Sequence, residues 1–142
     1  MTRHDLDELR GLHRERRKIE ELLDRLRASV QRTSPNLDGL PHGGQQKDIM
    51  AEYMANYDTA LRTMSEIEKR LTERIDRIER DIREAELPAR QTAIIWMRYA
   101  EGKSMGQIGH ELHYEKSWVY KQYKQAMEAM FPNLRKKRHT KQ

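Results

Sequence analysis

Leu9, Leu12, Arg16, Ile19, Leu23, Leu26 and Val30 follow one another at alternating steps of three and four residues. Such spacing brings all seven onto one side of an α-helix, whereas a half-buried strand would need alternation by twos. It is the pattern of a coiled-coil seam, interrupted once by Arg16. The period resumes near Lys47 and runs to about Glu86 through Met54, Tyr57, Leu61, Met64, Glu68, Leu71, Ile75, Ile78, Ile82 and Ala85. Between the two lies TSPNLDGLPHGGQQ, about 33–46, whose two prolines and three glycines read as a loop.

If the second helix folds back antiparallel on the first, one register pairs residues whose numbers sum to 83 or 84. It sets Val30 beside Met54, Leu26 beside Tyr57, Leu23 beside Leu61, Ile19 beside Met64, Leu12 beside Leu71 and Leu9 beside Ile75, with Arg16 opposite Glu68. A slip of one turn would set each charge against an apolar side chain, so the pair would hold the register. The alternative is that both long side chains swing out to solvent. Met50, Met54, Tyr57 and Met64 read as core rather than as a Met-rich docking groove, because a stripe at helical spacing is usually core.

Composition limits what else the chain can be. Apolar and charged residues each make up 36% of the 142 residues, which is thin for one compact core and suits long solvated helices. Without cysteine there is no disulfide, thiolate metal site or thiol nucleophile. The charged opening MTRHDLDELR and the lack of an apolar run near the ~18 residues of a membrane span argue against a leader or anchor, so a cytoplasmic chain is expected. Net charge is +5, but residues 87–142 alone carry +7, eleven Lys and Arg against four Asp and Glu. A local excess of that kind attracts polyanions.

The basic third reads as three short helices. PARQTAIIWMRYAE, 88–101, has proline in its first turn, and Gly102 stands where a left-handed cap belongs. Ser104 with Gln107 three residues later forms a capping-box signature for a helix bearing Met105, Ile108 and Leu112. A third helix, about 116–130, turns Val119, Tyr123, Ala126, Met127 and Met130 to one face before Pro132. Two helices crossing at a tight bend need a small residue at the close approach, a left-handed position at the bend, and apolar residues to lock the second helix. Gly109 meets the first need, and Ile108, Leu112 and Val119 the third. At the bend stands His113, a residue type enriched at positive φ among non-glycines.

Residues 94–130, IIWMRYAEGKSMGQIGHELHYEKSWVYKQYKQAMEAM, resemble the fourth region of bacterial sigma factors. The resemblance rests on the apolar pair, Met-Arg-Tyr, the acidic-Gly pair, the Ser-initiated helix with Ile and a small residue, and the closing Ala126, Met127 and Met130. The whole chain is similar to small phage late-transcription activators of the RinA and ArpU type. It departs from the pattern at His113, at Glu115 where a serine commonly caps, and at Gln122 where an apolar residue is usual.

The expected fold is all-α: an antiparallel two-helix coiled-coil hairpin over 1–86, a sigma region 4-like helix-turn-helix domain over 87–131, and a basic tail over 132–142. Docked as the resemblance implies, the third helix enters the major groove and the helix before it meets the backbone. Lys116, Ser117, Tyr120, Lys121 and Lys124 would then face double-stranded DNA, with Lys103, Ser104 and Gln107 approaching phosphates. Arg135, Lys136, Lys137 and Arg138 form a basic arm suited to non-specific phosphate contact, or a solvated end.

The function expected is that of a phage or prophage transcriptional regulator, an activator of late genes in the host bacterial cytoplasm. It would work as a homo-oligomer, with a dimer favoured, and contact with RNA polymerase is left open. Two alternatives stand beside it: a small terminase-like packaging protein forming a ring on DNA, and a coiled-coil adaptor docking on RNA polymerase without reading DNA. HELH, 110–113, lacks the His spacing of a zincin and a third ligand, so neither a metal nor another cofactor is expected. No nucleophile elbow, phosphate-binding glycine loop or isolated carboxylate pair suggests an enzyme.

Overall fold

The computed structural model describes residues 2–33 and 43–132. Most of the expected loop, and the basic arm at 135–138, lie outside them. The described chain is all-α: α1 (Arg3–Thr33), α2 (Gly43–Ala85), α3 (Ala89–Ile95), a π-helical segment (Trp96–Ala100), α4 (Met105–Leu112) and α5 (Lys116–Met130). α2 starts at Gly43, four residues before the expected Lys47. No helix among the described residues is long and apolar enough to cross a membrane. The chain divides into two compact units, residues 14–70 and residues 1–13 with 71–142, and α1 and α2 contribute to both.

In the unit of residues 14–70, Leu23, Ala60 and Ile67 are buried, and Arg27 of α1 donates a long hydrogen bond to the Tyr57 hydroxyl of α2 at 3.5 Å. Arg16 meets Glu68 across the two helices at 3.9 Å and Glu20 of its own helix at 3.3 Å, with both partners of the cross-helix pair about half exposed. The opposition of Arg16 and Glu68 therefore exists, as a solvated pair at the edge of the contact, worth at most about 1 kcal/mol.

The buried line of α2 differs from the expected one. Leu61 is 41% exposed and Met54 56%, while Ala60 is 3% and Ile67 5% exposed. The expected stripe carried Glu68 into the contact. Turning the helix by one residue substitutes Ile67 and moves the carboxylate to the rim, which avoids desolvating a charge. Leu61, Met54 and Met50 are thereby carried out of the contact, so the reading of Met50 and Met54 as core does not hold within this chain.

In the other unit, Leu6, Leu9 and Leu12 of α1 and Leu71, Ile78 and Ile82 of α2 are buried. Arg74 of α2 forms ion pairs with Asp5 at 3.5 Å and with Glu8, both on α1. Hydrogen bonds from the Thr2 backbone and hydroxyl, with the nearby Arg74 charge, hold the Asp5 carboxyl below its ordinary pKa. α2 ends where Glu86 adopts left-handed geometry (φ 50°), ahead of Leu87, which Pro88 bars from helical angles.

The expected single helix over 88–101 is two pieces. Pro88 caps α3 from outside it, and from Trp96 the helix widens to π spacing, with the Glu101 N–H bonding the Trp96 carbonyl at 3.2 Å. A π turn inserts one residue and shifts every later side chain around the axis. Tyr99 is buried, and its hydroxyl lies 2.5 Å from that of Tyr123 on α5. Burial, then the Tyr123 contact, push the Tyr99 hydroxyl far above its ordinary pKa, so it stays neutral.

Gly102 ends the π segment at φ +72°, and a Cβ there would fall 2.7 Å from the His13 ring. His13 is buried, and its Nε2 lies 2.9 Å from the Tyr99 carbonyl, to which it donates as the Nε2–H tautomer. Gly102 thus satisfies both a backbone angle and a close approach.

Candidate nucleic-acid interface

Three sequence signals combine to orient α5. Ser104 accepts from the Gln107 N–H at 3.2 Å, and Gln107 Oε1 accepts from the Ser104 N–H at 2.9 Å, so the capping box starts α4 as expected. His113 adopts left-handed geometry (φ 61°, ψ 41°), and the Tyr114 N–H closes the bend on the Gly109 carbonyl at 2.9 Å. At Gly109 a Cβ would lie 2.8 Å from the Tyr114 carbonyl oxygen and 3.6 Å from Val119, so the small residue marks the close approach.

The inner face of α5 is locked from two sides. Ile94, Met105, Ile108 and Val119 form a buried cluster against which Met97, Leu112, Trp118 and Tyr123 pack. Each fully buried Ile or Val contributes roughly 1.5–3 kcal/mol by leaving water. Ala126 and Met127 are buried further along the same face. Gln122, which breaks the apolar pattern of the resemblance, has a partner: the buried Gln91 amide of α3 donates to Gln122 Oε1 at 3.1 Å and Gln125 Oε1 at 3.2 Å. A polar clasp takes the place of an apolar contact.

With that face inward, Lys116, Ser117, Tyr120, Lys121 and Lys124 are all exposed. No described carboxylate forms an ion pair with any of the three lysines, and Lys116 Nζ lies 6.0 Å from the centre of the Tyr120 ring. The start of α5 is also unusual for a helix built only for its own stability. Glu115 occupies the N-cap without a side-chain capping bond, the first turn holds no acid, and Lys116 opens the helix. A cation there opposes the helix dipole at a cost of a few tenths of a kcal/mol.

The expected phosphate contacts around α4 divide. Lys103 is held by Glu101 at 2.6 Å and Glu111 at 2.8 Å, and these carboxylates raise its pKa and neutralise its charge locally. Ser104 and Gln107 are exposed but spend acceptor atoms on the capping box. The Gln107 NH2 and the Ser104 O–H keep their donors, which suits an anion rather than a base edge. Arg135, Lys136, Lys137 and Arg138 fall outside the described residues.

Sequence reasoning passed over Arg90 and the pairing of Tyr114 with Trp118. Tyr114 and Trp118 stack at 4.0 Å between ring centres, and the Arg90 guanidinium lies 5.7 Å from the first ring and 6.0 Å from the second. The spacing of Tyr114 and Trp118 was a signal, but Arg90 comes from a helix 24 residues earlier and carries no local mark.

His113 yields a first prediction. A non-glycine residue at left-handed angles costs about 1 kcal/mol or more, and glycine removes that cost while losing more entropy on folding. His113→Gly is expected to raise stability by roughly 0.5–1 kcal/mol, read by thermal or urea unfolding; a fall would mean that the imidazole makes a compensating contact.

Comparison with protein-family models, curated proteins and solved structures finds no match to this chain.

Proposed function

We propose that this chain is a phage or prophage DNA-binding transcriptional regulator, an activator of late genes in the bacterial cytoplasm, built as an antiparallel helical hairpin and a helix-turn-helix. α4, the bend at His113 and α5 make up the helix-turn-helix, and α5 is the helix that enters the major groove. One observation carries the reading: Lys121 and Lys124 stand exposed on the side of α5 opposite the buried Val119 and Ala126, exposed Lys116 stands at the helix start beside Tyr120, and no described carboxylate forms an ion pair with any of the three. A cationic face of that kind, on a rigidly seated helix, is suited to phosphate and base contacts together.

The direct test is a mobility-shift titration of the full chain on duplex DNA at several salt concentrations, followed by selection from random sequence. Binding that weakens steeply with salt and a recovered motif of repeated half-sites are expected. Binding indifferent to salt, or no motif, would refute sequence reading by α5.

Self-association belongs to the same proposal. Ile49, Met50, Met54 and Leu61 are exposed on α2, and Met50, Met54 and Leu61 fall along one edge of it. A second copy covering this edge gives a dimer of about twice 17.0 kDa in solution. Sedimentation is expected to show that mass, with Met54→Glu and Leu61→Glu together returning the monomer. A ring of eight or more copies would instead favour the DNA-packaging role.

A further inference from the structure

We infer that Arg90 of α3 is a phosphate contact of the same interface, held in position by the Tyr114–Trp118 stack; the inference rests on the DNA-reading proposal. Helical periodicity places Ser117, Lys121 and Lys124 on the outward side of α5, bounded by Tyr120 on one flank and by Trp118 and Gln125 on the other. A helix lying in the major groove has a sugar-phosphate strand along each flank. Arg90 sits on the Trp118 flank, with its guanidinium within about 6 Å of both stacked rings.

Two features make that position more than a surface coincidence. The neighbouring Gln91 is buried and clasped to Gln122 and Gln125 on the same flank, so the backbone that carries Arg90 is seated against α5. The guanidinium lies against ring faces, and no described carboxylate forms an ion pair with it. Contact through the face leaves its in-plane N–H donors available to a phosphate oxygen, a geometry that arginine provides and lysine does not. The contrast is Lys103, whose charge is taken up by two carboxylates.

The experiment measures the salt dependence of binding to a random-sequence duplex for the full chain, Arg90→Ala and Arg90→Lys, with Lys116, Lys121 and Lys124 changed to alanine as reference. Thermal unfolding of each variant is followed in parallel. Arg90→Ala is expected to lower the slope of log K against log salt by about 0.9, one phosphate contact, and to weaken binding several-fold regardless of sequence. Arg90→Lys restores most of the slope, because it keeps the charge, but not all of the affinity. An Arg90→Ala slope equal to that of the full chain, while the slope falls when Lys116, Lys121 and Lys124 are changed to alanine, overturns this inference alone and leaves Arg90 a packing residue. A full chain without salt-dependent binding removes the reading beneath it and the inference together. Should Arg90→Ala unfold, Arg90→Lys and Arg90→Gln decide: the slope of Gln must fall below that of Lys.

Discussion

With Lys116, Lys121 and Lys124 all replaced by alanine, duplex affinity near physiological salt is expected to drop about a hundredfold, taking roughly 1 kcal/mol per charged contact. The slope of log K against log salt should flatten by about 2.7, the counter-ion release of three phosphates. Folding is expected to survive, since the three side chains are exposed and form no ion pairs with described carboxylates. Loss of Lys116 from the first turn of α5 even removes an unfavourable interaction with the helix dipole. Mobility shift at several salt concentrations, beside thermal unfolding of the same samples, separates binding from stability. A variant that keeps both affinity and slope ends the proposal that α5 faces DNA.

The second large effect is on stability. In an open helix, alanine in place of glycine gains about 0.5–1 kcal/mol. At Gly109 the new Cβ would stand 2.8 Å from the Tyr114 carbonyl oxygen, a backbone atom of the bend. That bend is tied back by the Tyr114 N–H on the Gly109 carbonyl at 2.9 Å, so the chain cannot retreat without stretching its own closure. Overpacking of this kind costs about 1–3 kcal/mol and outweighs the helical gain. Gly109→Ala is therefore expected to lower the urea midpoint, and to reduce DNA affinity by shifting α5. Gly106 in the same helix is the control, because a Cβ there meets nothing nearer than Ser104 Oγ at 3.9 Å. If both changes are neutral or stabilising, the bend is more yielding than its contacts imply.

The parts of the candidate interface that were legible beforehand are those set within a few residues. Ser104 with Gln107 marks a helix start because the two side chains bond each other's backbone. Gly102 and His113 were identifiable as left-handed positions, and Gly109 as the close approach, because each type is tied to a backbone requirement. What escaped the sequence depends on partners far along the chain. His13 reaches the Tyr99 carbonyl across 86 positions, and Gln91 clasps Gln122 and Gln125 across 31 and 34. Lys103 looked like a phosphate contact until Glu111, eight residues on, was found against it.

The α2 seam shows the same division in one helix. Its period was plain from Leu71 to Ile82, where Leu71, Ile78 and Ile82 are buried as expected and Ile75 is half-buried. Nearer its start two stripes compete, one through Leu61 and Glu68, the other through Ala60 and Ile67, and both have helical spacing. Counting apolar residues could not separate them. The cost of burying Glu68 does, and that cost exists only once α1 lies alongside.

By itself the sequence determined that the described chain is helical, where its caps and bends fall, and that its final third is basic. Dihedral preferences, capping bonds and charge are carried by single residues and close neighbours, so they are present before anything packs. The tertiary structure decided which side of each helix is buried, which lysines keep an uncompensated charge, and that Arg90 stands beside Trp118. Those are properties of pairs of surfaces, and desolvation and ion pairing have no value until both surfaces are in place.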